Sequence, residues 1–190
     1  MKLFTTLILL MFAVSAFANP YDGRISMFEN GKEVSKSYHQ IVQETSEAGL
    51  SPLAKLIHKQ ALAIFDNPNS SELKKLYLNS FPRSFKSFIE IFHPKRFDQL
   101  YDGFIYINLL DKLADEYPDV VGEIYIKLAS EACLDADAPN YLRNNLITFE
   151  SKHAGLYKQY YETLTQEKQN NIENFKRASL HDGGKGVCNF

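Results

Sequence analysis

Between Glu33 and Phe175 apolar residues recur at intervals of three and four, the spacing that lines them up along one side of an α-helix. The first stretch, Glu33 to Ala48, is mostly polar and carries Val34, Tyr38, Ile41 and Val42 on one face, and Gly49 stops it. Ser51-Pro52 reads as a helix start, an N-cap followed by proline in the first turn. Leu53, Leu56, Ile57, Leu62, Ile64 and Phe65 form the apolar face behind it, and Asn67-Pro68-Asn69 breaks the helix. Ser70 or Ser71 caps the next, with Leu73, Leu76, Tyr77 and Phe81 at helical spacing. A helix with Phe85, Phe88, Ile89 and Phe92 follows Pro82 and closes at His93-Pro94.

The pattern continues through Phe97 to Tyr117, where Leu100, Phe104, Ile107, Leu110, Leu113 and Ala114 predict a long core helix. Pro118-Asp119 opens another, with Val120, Val121, Ile124, Leu128 and Ala129. Cys133 to Pro139 reads as a loop, and Asp137 or Asn140 as the cap of a helix bearing Leu142, Leu146 and Phe149. A break near Gly155 precedes Leu156, Tyr157, Tyr160, Tyr161 and Leu164, and Thr165 caps a last helix with Ile172 and Phe175. No internal repeat is visible. The expectation is an all-α fold: a compact domain over 33–180 of about eight antiparallel helices, as an irregular bundle or a stack of helix pairs.

Both ends differ from this body. Met1-Lys2, the apolar run Leu3 to Val14, and Ala16 and Ala18 in small-x-small order predict a signal peptide over 1–18. That run is shorter than the roughly 20 apolar residues of a membrane-spanning helix. The expected exported chain begins at Asn19, and no later segment is long and apolar enough to span a membrane. Residues 19–32 carry Pro20, Gly23, Asn30 and Gly31 and suggest an irregular arm or short hairpin. The chain has two cysteines, Cys133 and Cys188. In an oxidising compartment they predict a disulfide that tethers the tail 181–190 to the middle of the chain.

Charge changes the picture locally. Lys and Arg number 21 against 23 Asp and Glu, a balance that excludes nucleic acid as the expected partner. Residues 98–137, however, hold ten acids (Asp98, Asp102, Asp111, Asp115, Glu116, Asp119, Glu123, Glu131, Asp135 and Asp137) against Lys112 and Lys127. Such an excess steers a cationic partner or keeps a helical face solvated. Arg83, Lys86, Lys95 and Arg96 lie among Phe81, Phe85, Phe88, Phe92 and Phe97; the Phe spacing is that of a helix core, which favours packing over anion binding.

Two Glu-x-x-His pairs, Glu90/His93 and Glu150/His153, are the sharpest candidate chemistry. On a helix each pair shares a face and could hold one metal, as in di-iron carboxylate bundles. Both histidines lie beside a breaker, where a histidine more commonly caps carbonyls at a helix C-terminus. Asp135, Asp137 and Asn140 alternate like calcium ligands, but a calcium loop needs Gly at its sixth position and Glu at its twelfth, where this chain has Asn140 and Leu146. No phosphate loop, dinucleotide fingerprint or nucleophile elbow occurs. The sequence therefore predicts an exported, non-enzymatic binding protein of the cell envelope: toxin-neutralising, inhibitory or chaperone-like, without cofactor. Its expected binding face is Asp111, Asp115, Glu116, Asp119 and Glu123, and its partner another protein with a basic surface. The alternative is an exported metal-dependent enzyme using Glu90, His93, Glu150 and His153.

Overall fold

The computed structural model of the chain describes residues 19–92, 100, 102–132 and 137–177. The predicted signal peptide, Cys133, Cys188, His93, Asp98 and Asp135 lie outside the described residues. The architecture is mainly helical with one small sheet: β1 (Arg24–Glu29), β2 (Lys32–Ser37), α1 (Tyr38–Glu44), α2 (Pro52–Asp66), α3 (Ser71–Ser80), α4 (Phe85–Phe92), α5 (Gly103–Leu113), α6 (Pro118–Ser130), α7 (Asp137–Lys152), α8 (Ala154–Tyr161) and α9 (Gln166–Arg177). No helix among the described residues is long and apolar enough to cross a membrane.

The helix expected from Glu33 is corrected. Asn30 and Gly31 take φ of 51° and 78°, the two positive values of a type I′ turn, which folds the following residues back as a strand. β1 and β2 pair antiparallel, with Glu29 opposite Lys32 and Arg24 opposite Ser37. Val34 therefore belongs to a strand, and only from Tyr38 does the helical period take over. Ser37 starts that helix through a reciprocal capping box with Gln40.

Two further starts follow the predicted chemistry. Ser51 caps α2 at the Ala54 N–H, and Ser70 caps α3 at the Leu73 N–H. α5 is shorter than the predicted run, ending at Leu113 in a tight turn closed by Ala114 N–H to Asp111 O and Tyr117 N–H to Leu113 O. α7 begins at Asp137, so both Asp137 and Asn140 lie within the helix rather than at its cap. Gly155 lies within α8; the break falls at His153, between α7 and α8.

Buried side chains from Tyr21 to Phe175 form one continuous cluster. α6 runs through it: Val121, Ile124, Tyr125, Leu128 and Ala129 are buried, and the helix packs against α4, α5, α7, α8 and α9. Gly122 permits the close approach of α7, because a Cβ there would lie 2.7 Å from Phe149 Cζ. Phe81, Phe85, Phe88 and Phe92 are all buried with their rings in contact, so the described phenylalanines of the basic-aromatic segment are core, while Lys86 is exposed. Two predicted core leucines are not: Leu56 and Leu76 are exposed. The stripes that actually face inward carry His58 on α2 and Lys74 on α3.

Candidate functional site

The acidic candidates gather at the corner where α5 turns into α6. Asp111 lies half-buried in the last turn of α5, with the Tyr125 hydroxyl donating at 3.5 Å. Burial pushes its carboxyl upward, more than the Lys152 charge lowers it. Asp115 is exposed in the turn, 3.7 Å from Lys152 of α7. Glu116 accepts two bonds from the Lys74 ammonium, at 2.8 and 2.7 Å, and one from the Tyr21 hydroxyl. Burial works against the Glu116 carboxylate, yet the bonds from Lys74 and Tyr21 hold it below the usual range. Asp119 is exposed in the first turn of α6, where the helix dipole favours an anion. Glu123 pairs with Lys127 one turn on, at 2.6 Å.

The five carboxylates thus divide by work. Glu116, itself half-exposed, is bound to a buried cation: Lys74 is 7% exposed at its side chain and lies 5.1 Å over the Tyr21 ring. Asp111 is turned partly inward. Asp115 and Asp119 remain most open, and among the described residues Asp119 has no hydrogen bond or ion pair. Two further acids of the segment, the exposed Glu131 and the half-buried Asp102, also belong to the fold. Glu131 accepts from the Phe85 N–H at 3.0 Å and so secures the start of α4, while burial raises the carboxyl of Asp102.

The metal candidates are not brought together as a described cluster. Glu90 lies near the end of α4, and its predicted partner His93 is outside the described residues. Glu150 is engaged by Lys176 at 2.6 Å. His153 sits between α7 and α8 with its ring 4.8 Å from that of Phe149. Its N–H donates to Phe149 O, and its carbonyl accepts from the Tyr157 N–H, the helix-end position its sequence context suggests. Among the described residues no group of three or more His, Cys, Asp or Glu could hold a metal ion. The Cys133–Cys188 pairing lies outside the described residues.

Two polar clusters escaped the sequence reading. His58, 2% exposed, hydrogen-bonds through Nδ1 with the Tyr106 hydroxyl at 3.0 Å, and Tyr77 donates to the Tyr106 carbonyl at 2.7 Å. Burial lowers the His58 pKa and pushes the Tyr77 and Tyr106 phenols up. The second cluster is Lys176, bonded to Glu150 and Glu173 and lying 5.3 Å over the Tyr157 ring. A signal existed for His58, which stands four residues after the buried Ala54 and three before the buried Ala61, and for the other inward cation, Lys74, which stands three and four residues before Tyr77 and Leu78: these are inward positions by helical spacing. No protein-family model, curated protein or solved structure matches this chain.

Proposed function

We propose that this chain is an exported, soluble, non-enzymatic binding protein of the cell envelope or exterior, and that the α5–α6 corner receives a partner with a basic surface. The reading takes the helices as one domain of antiparallel neighbours that presents this corner on a rigid support. The observation that carries it is the exposure of Asp115 and Asp119 in a segment with ten acids and two bases. Asp111, Glu116 and Glu123 add negative potential there while also serving the fold. A corner with an excess of acids, in which Asp115 has only a loose, exposed pair with Lys152, attracts a cation over a distance set by salt. Neutralising a toxin, inhibiting an enzyme and chaperoning a basic client all use this physics.

The test is kinetic. With a candidate basic partner, the association rate of the chain falls clearly as ionic strength rises from about 0.01 M to about 0.15 M, because the screening length shrinks from roughly 30 Å to 8 Å. Asp115→Asn with Asp119→Asn reproduces much of that loss and leaves the off-rate nearly unchanged. An association rate indifferent to both salt and this double variant removes the corner from the binding surface.

A further inference from the structure

The β1–β2 hairpin ends in an open backbone edge. Its two-residue turn closes on Glu29 and Lys32, and a loop of that length closes on a pair that exchanges both backbone bonds. The alternation then directs the N–H and C=O groups of Ile25, Met27 and Glu29 at β2. The 2.8 Å bond from the Tyr38 N–H to Gly23 O continues the same odd-numbered series. Arg24, Ser26 and Phe28 therefore aim their backbone groups away from β2. All three residues are exposed, Phe28 by 79%. Among the described residues no backbone hydrogen bond from another element reaches them.

Exposed edges in folded proteins are ordinarily blunted by charges, proline or a bulge. β2 carries Lys32, Glu33 and Lys36. β1 reads Ile-Ser-Met-Phe between its terminal Arg24 and Glu29, with no proline and no interior charge.

We propose that β1 pairs with β1 of a second copy of this chain, antiparallel across a two-fold axis at Ser26, to make a four-stranded sheet. A two-fold axis normal to a sheet keeps each face on its own side, so residues of equal parity must meet. Of the registers this allows, the one centred on Ser26 alone sets all three outward residues against outward residues. Arg24 then opposes Phe28 of the partner subunit, Ser26 opposes Ser26 of the partner subunit, and Phe28 opposes Arg24 of the partner subunit. Three such pairs make about six backbone hydrogen bonds. Centring on Met27 would leave Arg24 opposite the turn. The chosen register also fits the side chains. The guanidinium of Arg24 bonds the hydroxyl and the carbonyl of Ser35 on β2, at 3.3 and 3.0 Å, which leaves its aliphatic stem to cover the exposed Phe28 ring of the partner subunit. On the other face Ile25 meets Met27 of the partner subunit, extending two apolar side chains already packed against the core. The pairing is independent of the acidic corner.

Sedimentation of the purified, cell-processed chain from about 10 µM to about 1 mM, a range suited to a small interface, shows a concentration-dependent dimer. Ser26→Pro removes an outward N–H and no bond to β2, and it weakens the dimer at least about tenfold. Phe28→Lys changes only a solvent-facing side chain, sets a cation against Arg24 of the partner subunit, and does the same with an unchanged circular-dichroism spectrum. Ser26→Cys gives a covalent dimer linked at that position on mild oxidation, because directly opposed hydrogen-bonded residues lie about 5.5 Å apart at Cα, within disulfide range. A chain that stays monomeric throughout, or a dimer that ignores both Ser26→Pro and Phe28→Lys, overturns the proposal; so does a dimer in which Ser26→Cys does not cross-link.

Discussion

Near one end of the described chain Lys74 lies over the ring of Tyr21 and binds Glu116; near the other Lys176 lies over the ring of Tyr157 and binds Glu150 and Glu173. The chemistry is shared: an ammonium, a carboxylate and the face of a tyrosine. The connectivity is not. Tyr21 and Glu116 are 95 residues apart, so the first contact ties the N-terminal segment to α3 and to the α5–α6 turn. The second joins α7, α8 and α9, which follow one another directly. The first also balances one cation with one anion, whereas the second leaves an extra carboxylate. A cation packed under a tyrosine thus serves as a long-range tie in one place and as a local charge buffer in the other. This is why Glu116, counted among the surface acids by sequence, is structural.

The strongest test removes the rings. Tyr21→Ala and Tyr157→Ala, at 3% and 6% exposed, should each cost about 3 kcal/mol in urea unfolding. Hydrogen exchange should show Tyr21→Ala loosening the segment through α1, and Tyr157→Ala loosening α8 and α9. Loosening of the same elements by both would erase the distinction between a long-range tie and a local one.

Removing the cations should reverse the ranking of reach. Lys176→Met leaves Glu150 and Glu173 facing each other and should cost about 2 kcal/mol, while Lys74→Met leaves a single half-exposed carboxylate and should cost about 1 kcal/mol. Equal costs would mean that the extra carboxylate has no effect.

Acid should separate the two regions further. Glu116 titrates below its ordinary range despite burial, because Lys74 and Tyr21 bond it. Its contribution is therefore full above the unfolded carboxyl value of about 4.3 and is lost as pH falls through the lowered one. Burial depresses His58 in the same sense, so its contribution is full above about 6.5 and declines as pH falls through its lowered value. Stability measured from pH 8 to pH 3 should fall in two steps, the upper one absent in His58→Phe and the lower one absent in Glu116→Gln. Smallest of all, Asp119→Asn should change stability by less than about 0.5 kcal/mol, which would mark it as an acid held for something other than folding.

Much of the helical body was legible because capping and breaking residues are local. Ser51-Pro52, Ser70 and Pro118 each act within one turn, and helices begin where they predict. The failures were of two kinds. Val34 and Tyr38 fit a helical period as well as a strand followed by a cap, and only the positive φ of Asn30 and Gly31 decides between them. Leu76 and Lys74 exchange their expected places because Lys74 finds Glu116 and Tyr21. A partner 42 residues away leaves no trace in a periodicity. The acidic corner was readable as composition, but the division of its carboxylates into free and bound was not, since it depends on the same distant lysine.

The chain contains eleven tyrosines and no tryptophan, and that gives the buried tyrosines an optical consequence. Tyr77, Tyr106 and Tyr125 are sealed from water, and the Tyr77 hydroxyl donates to a carbonyl. A phenol in that setting absorbs at longer wavelength than one in water, and no indole band hides the difference. Tyr21, whose hydroxyl bonds to a carboxylate, should be dim in emission, because the excited phenol passes its proton to such an acceptor. Release of the N-terminal segment should therefore brighten the native fluorescence, while opening of the core should shift the ultraviolet absorbance to the blue. Two colours of signal, with no label attached, would follow the two events in a single unfolding experiment.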